Sequence, residues 1–287
     1  MRKSDVIAFL ENGLEQQAPT ERALHTESPY KPEPEAKSEP EQVETARDVA
    51  AEIEELIGPS RREPISAMRR QIGRHMLESR STAAHCTTIV EVDFSRVAER
   101  RAELRESMTR RGTNLTYLAF VAGATVAALQ EHPVLNASID GEQIVYHDDV
   151  NLGIAVALED GLIVPVIRKA QRLSLEGLAA AIADAATRAR EKRLLPDDTH
   201  GGTFTITNPG QFGAVLATPI INQPQVAILD LEAVVKRPVV IEQDEGDSIA
   251  IRPMSYLCMS WDHRALDGAE AAKFLASIRE RLEGWVE

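Results

Sequence analysis

From Glu63 onward, apolar and polar positions recur with two periods, and the switches between them mark out helices and strands. Ile65, Met68, Ile72 and Met76 follow a helical spacing. A second helical stretch starts after Asp93 and runs to Gly112, which is placed as a C-terminal cap. Leu115 to His132 is apolar almost all round, as a buried helix is, and Pro133 stops it. The period then shortens. NLGIAVAL (residues 151–158) and LIVPVIRK (162–169) are β-branched runs joined by Glu159, Asp160 and Gly161, a hairpin signature. Leu175 to Lys192 returns to an alanine-rich helix. Thr203 to Asn208, Gln225 to Val235 and Ile251 to Asp262 read as strands, and Ala269 to Leu282 as a closing helix. Helices and strands interleave and hairpins occur among them. This order predicts an α/β domain with a mixed β-sheet flanked by helices.

Before Glu63 the pattern is different. Residues 1–14 form one short amphipathic piece, with Ser4 as cap, Val6, Ile7 and Leu10 on one face, and Gly13 as terminator. One short helix cannot bury that face alone, so the piece reads as part of a larger unit. Residues 15–62 carry prolines at 19, 29, 32, 34, 40 and 59. Between Gln16 and Ser60 eleven acidic residues face four Lys and Arg. Few large apolar residues appear before Ile53, Leu56 and Ile57, so this stretch is expected to be an extended acidic linker, with a short helix around Val49 to Ile57. The folded domain is expected to span 63–287.

Composition narrows the functions available. The net charge of −13 argues against nucleic acid as the main partner, because phosphate binding needs a basic face. Aromatics are only 4%, so the core is built from Ala, Val, Ile and Leu. The two cysteines, Cys86 and Cys258, have no metal-ligand spacing, and no metal site is expected. The longest apolar stretch, Leu115 to Leu129, is shorter than a bilayer needs, and no membrane association is expected.

The candidate chemistry is near the C-terminus. SWDHRALDGA (residues 260–269) places His263 at the end of a strand and just before a helix, with Asp267 and Gly268 following. Such junctions commonly display catalytic groups. A neutral imidazole there is a competent base for a thiol: with reference pKa values near 6.5 and about 8.5, the proton transfer is uphill by about 2.7 kcal/mol. Asp267 has three possible uses: pairing with an arginine, orienting the histidine, or capping the next helix. In an isolated HxxxD the capping use is the commoner.

The surrounding segments add a resemblance. HRALDG matches the HxxxDG motif of the E2 acyltransferases of 2-oxo acid dehydrogenase complexes and of chloramphenicol acetyltransferase. Gly201 to Leu229 (GGTFTITNPGQFGAVLATPIINQPQVAIL) resembles the glycine-rich and Pro-Asn segment of E2 cores, Asn151 to Ile167 their paired central strands, and Glu63 to Ser79 the segment that opens them. Arg2 to Gly13 resembles the last helix of a peripheral subunit-binding domain, so residues 1–14 read as its remnant and 15–62 as the inter-domain linker.

The resemblance implies a chloramphenicol acetyltransferase-like, trimeric fold that moves an acyl group between coenzyme A and dihydrolipoamide. Both thiols are substrates, and the lipoamide belongs to a lipoyl domain not present in this chain. It implies that His263 is the general base and that the Thr207 hydroxyl stabilises the tetrahedral oxyanion. Without the family, Thr207 reads as a strand residue of high β propensity. Asp267 would hold the histidine loop, and His263 of one subunit would face Thr207 of its neighbour. Arg101, in AERRAELR (residues 98–105), would contact the coenzyme A phosphates, although a solvated basic face explains most of its arginine neighbours. Implied partners are two further subunits, a larger cubic or icosahedral core, and the E1 and E3 components; the implied compartment is the bacterial cytoplasm or a mitochondrial matrix. His85 reads as structural or channel-lining and Cys258 as inert core. Asp230 departs from the family, where many members carry glycine. Threonine at Thr207 is frequent in the succinyl and branched-chain branches. Two other readings share parts of the pattern: a free-standing chloramphenicol-type acetyltransferase, which needs no linker, and a non-catalytic E2-like scaffold, which needs no His263, Thr207 and Asp267 together.

Overall fold

The computed structural model describes residues 61–285 except Asp160 and Glu245, together with Leu56 and Gly58. The subunit-binding remnant, most of the linker and nearly all of the short helix expected before Gly58 lie outside the described residues. The chain divides after Glu63, and residues 64–287 form the unit described here.

Helix α1 (Ala67–Thr82) is opened by the Ser66 hydroxyl, which accepts from the Arg69 amide at 3.2 Å. Its apolar residues Met68 and Leu77 stay exposed, as does Ile65 just before it. After β1 (His85–Asp93), α2 (Ser95–Arg110) leads to α3 (Tyr117–Glu131). Nine residues of α3 are buried, as its uniformly apolar sequence requires. A hairpin that periodicity did not single out follows, β2 (Ala137–Asp140) and β3 (Gln143–Tyr146), turning at Gly141, whose φ is 57°. The Asp140-Gly141 pair was its available signal.

The expected central hairpin is present but interrupted. It consists of β4 (Leu152–Ile154), β5 (Val156–Leu158), β6 (Gly161–Ile163) and β7 (Val166–Ile167). Val156 pairs with Ile163 and Leu152 with Ile167, while Pro165, which has no amide to give, separates the two ladders. Then come α4 (Leu175–Arg190), β8 (Phe204–Thr207), β9 (Ala227–Leu231), β10 (Val235–Ile241), β11 (Ser248–Asp262) and α5 (Gly268–Glu283). The single strand expected over Gln225 to Val235 is therefore split between β9 and β10.

Seven strands form one mixed sheet in the order β1-β11-β9-β8-β4-β7, with β10 paired to the first half of β11. Strands β8, β9 and β4 run parallel, and β11 runs antiparallel to β9 and β1. The two-residue period decides what each face carries. Phe204, Ile206, Leu229, Leu231, Leu257 and Met259 enter the main core with α3 and α5. The opposite face carries Thr205 and Thr207, then Ile228 and Asp230, then Cys258 and Ser260, in cross-strand register. The sheet thus separates packing on one face from polar groups on the other.

Candidate active site

His263 follows the last residue of β11. That residue, Asp262, is buried, and its carboxylate gathers three groups. It accepts from the Ala84 amide at 3.1 Å, the Arg264 amide at 3.0 Å and the Arg264 guanidinium at 2.7 to 3.1 Å. Burial works to raise its pKa, but the hydrogen bonds and charge of Arg264 outweigh that, and the carboxyl is held below its usual range. The His263 amide donates to the Ala84 carbonyl at 2.9 Å. The backbone on both sides of His263 is thus tied to the segment that enters β1. The imidazole itself is exposed and tilts over Trp261, with ring centroids 5.0 Å apart.

Of the three uses open to Asp267, the structure shows the cap. Its Oδ1 accepts from the Glu270 amide at 3.0 Å and the Ala269 amide at 2.9 Å, at the N-terminus of α5. Those bonds hold its pKa below the usual range, with smaller help from Lys273 and His263. The arginine partner exists, but it is Arg264 and it belongs to Asp262. Asp262 has one signal in the sequence, an acid immediately before the histidine at a strand end.

Thr207 ends β8, half-buried, on the polar face. The next turn packs closely on the neighbouring chain: a Cβ on Gly210 would lie 2.2 Å from the Glu232 carbonyl carbon. The cross-strand partner of Thr207 is Asp230, whose own partner is Cys258. Asp230 is neither exposed nor paired with a cation. Burial, then the neighbouring Glu232, pushes it up to about 8. Burial also raises the Cys258 thiol to about 11, which fits an inert core cysteine. Thr205 donates to Gln225 at 2.7 Å and accepts from Asn222 at 3.3 Å, holding the residues on both sides of the cis Gln223-Pro224 bond.

His263 and Thr207 are not brought together within the chain. Asp262 bonds the Val226 carbonyl just before β9, whereas Thr207 is level with Asp230. Four residues of strand rise and two strand spacings lie between them, on the order of 15 Å.

Arg101 faces a cleft of about 800 Å³ between α2, α3, α4 and the Asn208 to Phe212 turn. Its Nε donates to the Leu115 carbonyl at 2.8 Å and its guanidinium lies 5.2 Å from the Tyr117 ring centroid. Asn208, Leu231 and Glu232 line the same cleft. His85 is structural: its Nε2 accepts from the Ile221 amide at 3.1 Å, and its Nδ1 lies 3.2 Å from the Ala83 carbonyl. Among the described residues no group of three or more His, Cys, Asp or Glu could hold a metal ion, and no helix is long and apolar enough to cross a membrane.

Comparison with known proteins places the chain in a family. The family model for the 2-oxoacid dehydrogenases acyltransferase (catalytic domain) matches residues 58–287. The chain is 41% identical over 286 residues to the dihydrolipoyllysine-residue acetyltransferase component of the pyruvate dehydrogenase complex of Corynebacterium glutamicum, covering 99% of this chain and 39% of that protein. It is 38% identical to the lipoamide acyltransferase component of the branched-chain alpha-keto acid dehydrogenase complex of Bacillus subtilis, covering 98% of this chain and 64% of that protein. The chain therefore spans between about two fifths and two thirds of these relatives. A crystal structure of a probable dihydrolipoamide acetyltransferase from Listeria monocytogenes is 42% identical with a TM-score of 0.75, covering 78% of this chain and 95% of that one. The chain belongs to the 2-oxo acid dehydrogenase acyltransferase family, whose catalytic domain it carries.

Proposed function

We propose that the chain is the acyltransferase core of an E2 component, passing an acyl group between dihydrolipoamide and coenzyme A. The observation that carries this reading is a histidine whose backbone is clamped on both sides while its ring stays free, next to the Asp262–Arg264 network. His263 takes the proton of the attacking thiol. The thiolate adds to the thioester carbonyl, and the Thr207 hydroxyl of a neighbouring subunit donates to the oxyanion that forms. Collapse expels the other thiolate, which recovers the proton from His263. A hydroxyl aimed at developing charge contributes roughly a hundredfold or more in rate. Asp267 positions the loop through the helix cap.

Several features support a site shared between subunits. The two groups lie at opposite ends of the sheet. Phe212, Val215 and Leu216, just after Thr207, are exposed apolar residues, as are Ile65, Met68 and Leu77, and such surface commonly marks an interface. A trimer built into a larger core is the assembly we infer; one solved relative, 32% identical with a TM-score of 0.75, is the cubic core of the pyruvate dehydrogenase multienzyme complex. A study of the Azotobacter vinelandii dihydrolipoamide acetyltransferase concerns the role of a serine, a histidine and an asparagine in its catalytic mechanism. We assign Thr207, His263 and Asp267 to those places. The cleft beside Arg101 suits coenzyme A phosphate, since guanidinium matches phosphate in charge and fork geometry. Residues 63–287 would form the catalytic unit, with residues 1–14 from a subunit-binding domain and 15–62 as linker. E1 and E3 components, a lipoyl-borne dithiol and the cytoplasm of a bacterium complete the reading.

The test is acyl transfer from acetyl-, isobutyryl- and succinyl-coenzyme A to dihydrolipoamide, beside a His263→Ala variant of the same oligomeric state. Transfer that the variant loses is the expected result. No transfer from an assembled wild type with any donor would overturn it in favour of a scaffold.

A further inference from the structure

Asp230 and Glu232 lie two residues apart along β9 and its exit, so both belong to the face that bears Thr207. They are almost fully enclosed, at 2% and 1% exposure. Buried carboxyls are costly and ordinarily meet a cation or several donors. Among the described residues, neither Oδ1 of Asp230 nor either carboxylate oxygen of Glu232 has a hydrogen-bond partner. Two carboxylates cannot satisfy each other unless a proton lies between them, and the raised pKa of Asp230 agrees with that proton being retained at neutral pH. Nothing that shifts Asp230 is a cation; Arg101 and Arg190 face the cleft whose wall includes Glu232 but not Asp230. Glu232 is among the residues of the cleft wall, with its carboxylate oxygens themselves buried behind it. Asp230 stands one strand away from Thr207, about 4.8 Å in the hydrogen-bonding direction.

We propose that Asp230 and Glu232 act together as a specificity element that admits neutral acyl groups to the Thr207 hydroxyl and rejects an acyl group ending in a carboxylate. The inference rests on the acyl-transfer reading and narrows it. With one proton shared, the pair carries a single negative charge in a largely dry pocket. An acyl carbonyl held by Thr207 sends its chain along the face that holds the pair. A succinyl carboxylate then arrives on the order of 5 Å from the charge, where like charges at an effective dielectric of about 20 repel by more than a tenfold rate difference requires. Acetyl and branched-chain groups meet no such repulsion.

The test compares kcat/KM for acetyl-, isobutyryl- and succinyl-coenzyme A, with dihydrolipoamide as acceptor, in the assembled wild type, Asp230→Asn and Glu232→Gln. The wild type is expected to favour the neutral donors by about tenfold or more; Glu232→Gln, which removes the charge, is expected to shift the succinyl-to-acetyl ratio upward by about tenfold, and Asp230→Asn, which replaces the protonated partner and leaves Glu232 charged, to keep it near that of the wild type. A ratio is the useful readout, because damaged packing slows all donors together. Succinyl transfer by the wild type on a par with the neutral donors would overturn the inference, even if neither variant folds. So would an unmoved ratio in a Glu232→Gln variant that keeps the wild-type Tm and assembly. Failure of all three donors counts instead against acyl transfer itself, and the inference falls with it.

Discussion

His263 and the acids around it separate chemistry from support. Its ring is exposed and its backbone is fixed, so His263→Ala should lower transfer by about 10²- to 10⁴-fold while leaving the Tm unchanged. Asp262→Asn should do the reverse in kind. It weakens the charge-assisted bonds to Arg264 inside a buried site and should cost about 1–3 kcal/mol in urea unfolding, with the histidine still present. The two buried strand acids also differ in sign with pH. Asp262 has a depressed pKa, so its stabilisation is present above the ordinary carboxylate value and is lost as pH falls through the lowered one. Asp230 has a raised pKa. The folded chain keeps a proton that the unfolded chain releases, so stability falls as pH rises from near 3.8 to about 8 and levels off above that. Tm measured across that range should therefore decline less steeply in Asp230→Asn, and the variant should be the more stable protein above pH 8. The sequence could not assign these acids. Asp230 reads equally well as an exposed strand residue or a buried one until the register with Thr207 and Cys258 is known, and Asp262 gives no local sign that Ala84, far away in the chain, is its partner.

Asp267 belongs to its helix more than to the histidine. Replacing it by alanine should cost about 1 kcal/mol through the lost cap of α5, and circular dichroism melts would show it. A second contact at this scale is the close approach of the Asn208 to Phe212 turn to the exit of β9. Gly210→Ala would force a methyl against the backbone of Glu232 and Ala233, and the turn after Thr207 would have to move. The long elements were legible because their periods are strong: α3 is apolar all round, and α4 and α5 start at Ser and Asp caps. The short strands were less so. β4 through β7 are two or three residues each, and Ala155 and Pro165 break runs whose composition is uniformly β-like. The break between β9 and β10 is likewise invisible in QVAILDLEAVV, because it follows from tertiary contacts: the Glu232 amide turns to the Tyr256 carbonyl and the Ala233 amide to the Ala214 carbonyl.

Across the whole molecule, the notable fact is that the candidate base and the candidate oxyanion donor occupy opposite ends of one sheet. If a neighbouring subunit supplies the missing half, His263→Ala and Thr207→Ala chains are each inactive alone yet complementary. Co-assembled in equal amounts from dissociated chains, they should recover about a quarter of wild-type activity, since each boundary needs one intact partner of each kind. Recovery absent from properly mixed trimers would place both groups in one subunit's site. The family resemblance pointed to both residues and implied that they face each other across a subunit boundary; the strand arrangement that holds them apart was not legible, because it depends on β11 running antiparallel to β9 while β8 runs parallel to it. The hydrophobic core, by contrast, lies wholly within one chain, from Val92 to Leu282. On the shared-site reading, a subunit can be fully folded and still hold only half of each of two sites. Under the law of mass action, activity per chain would then fall on dilution well before any fold is lost, and a newly made subunit could not act on thioesters until it had met its neighbours.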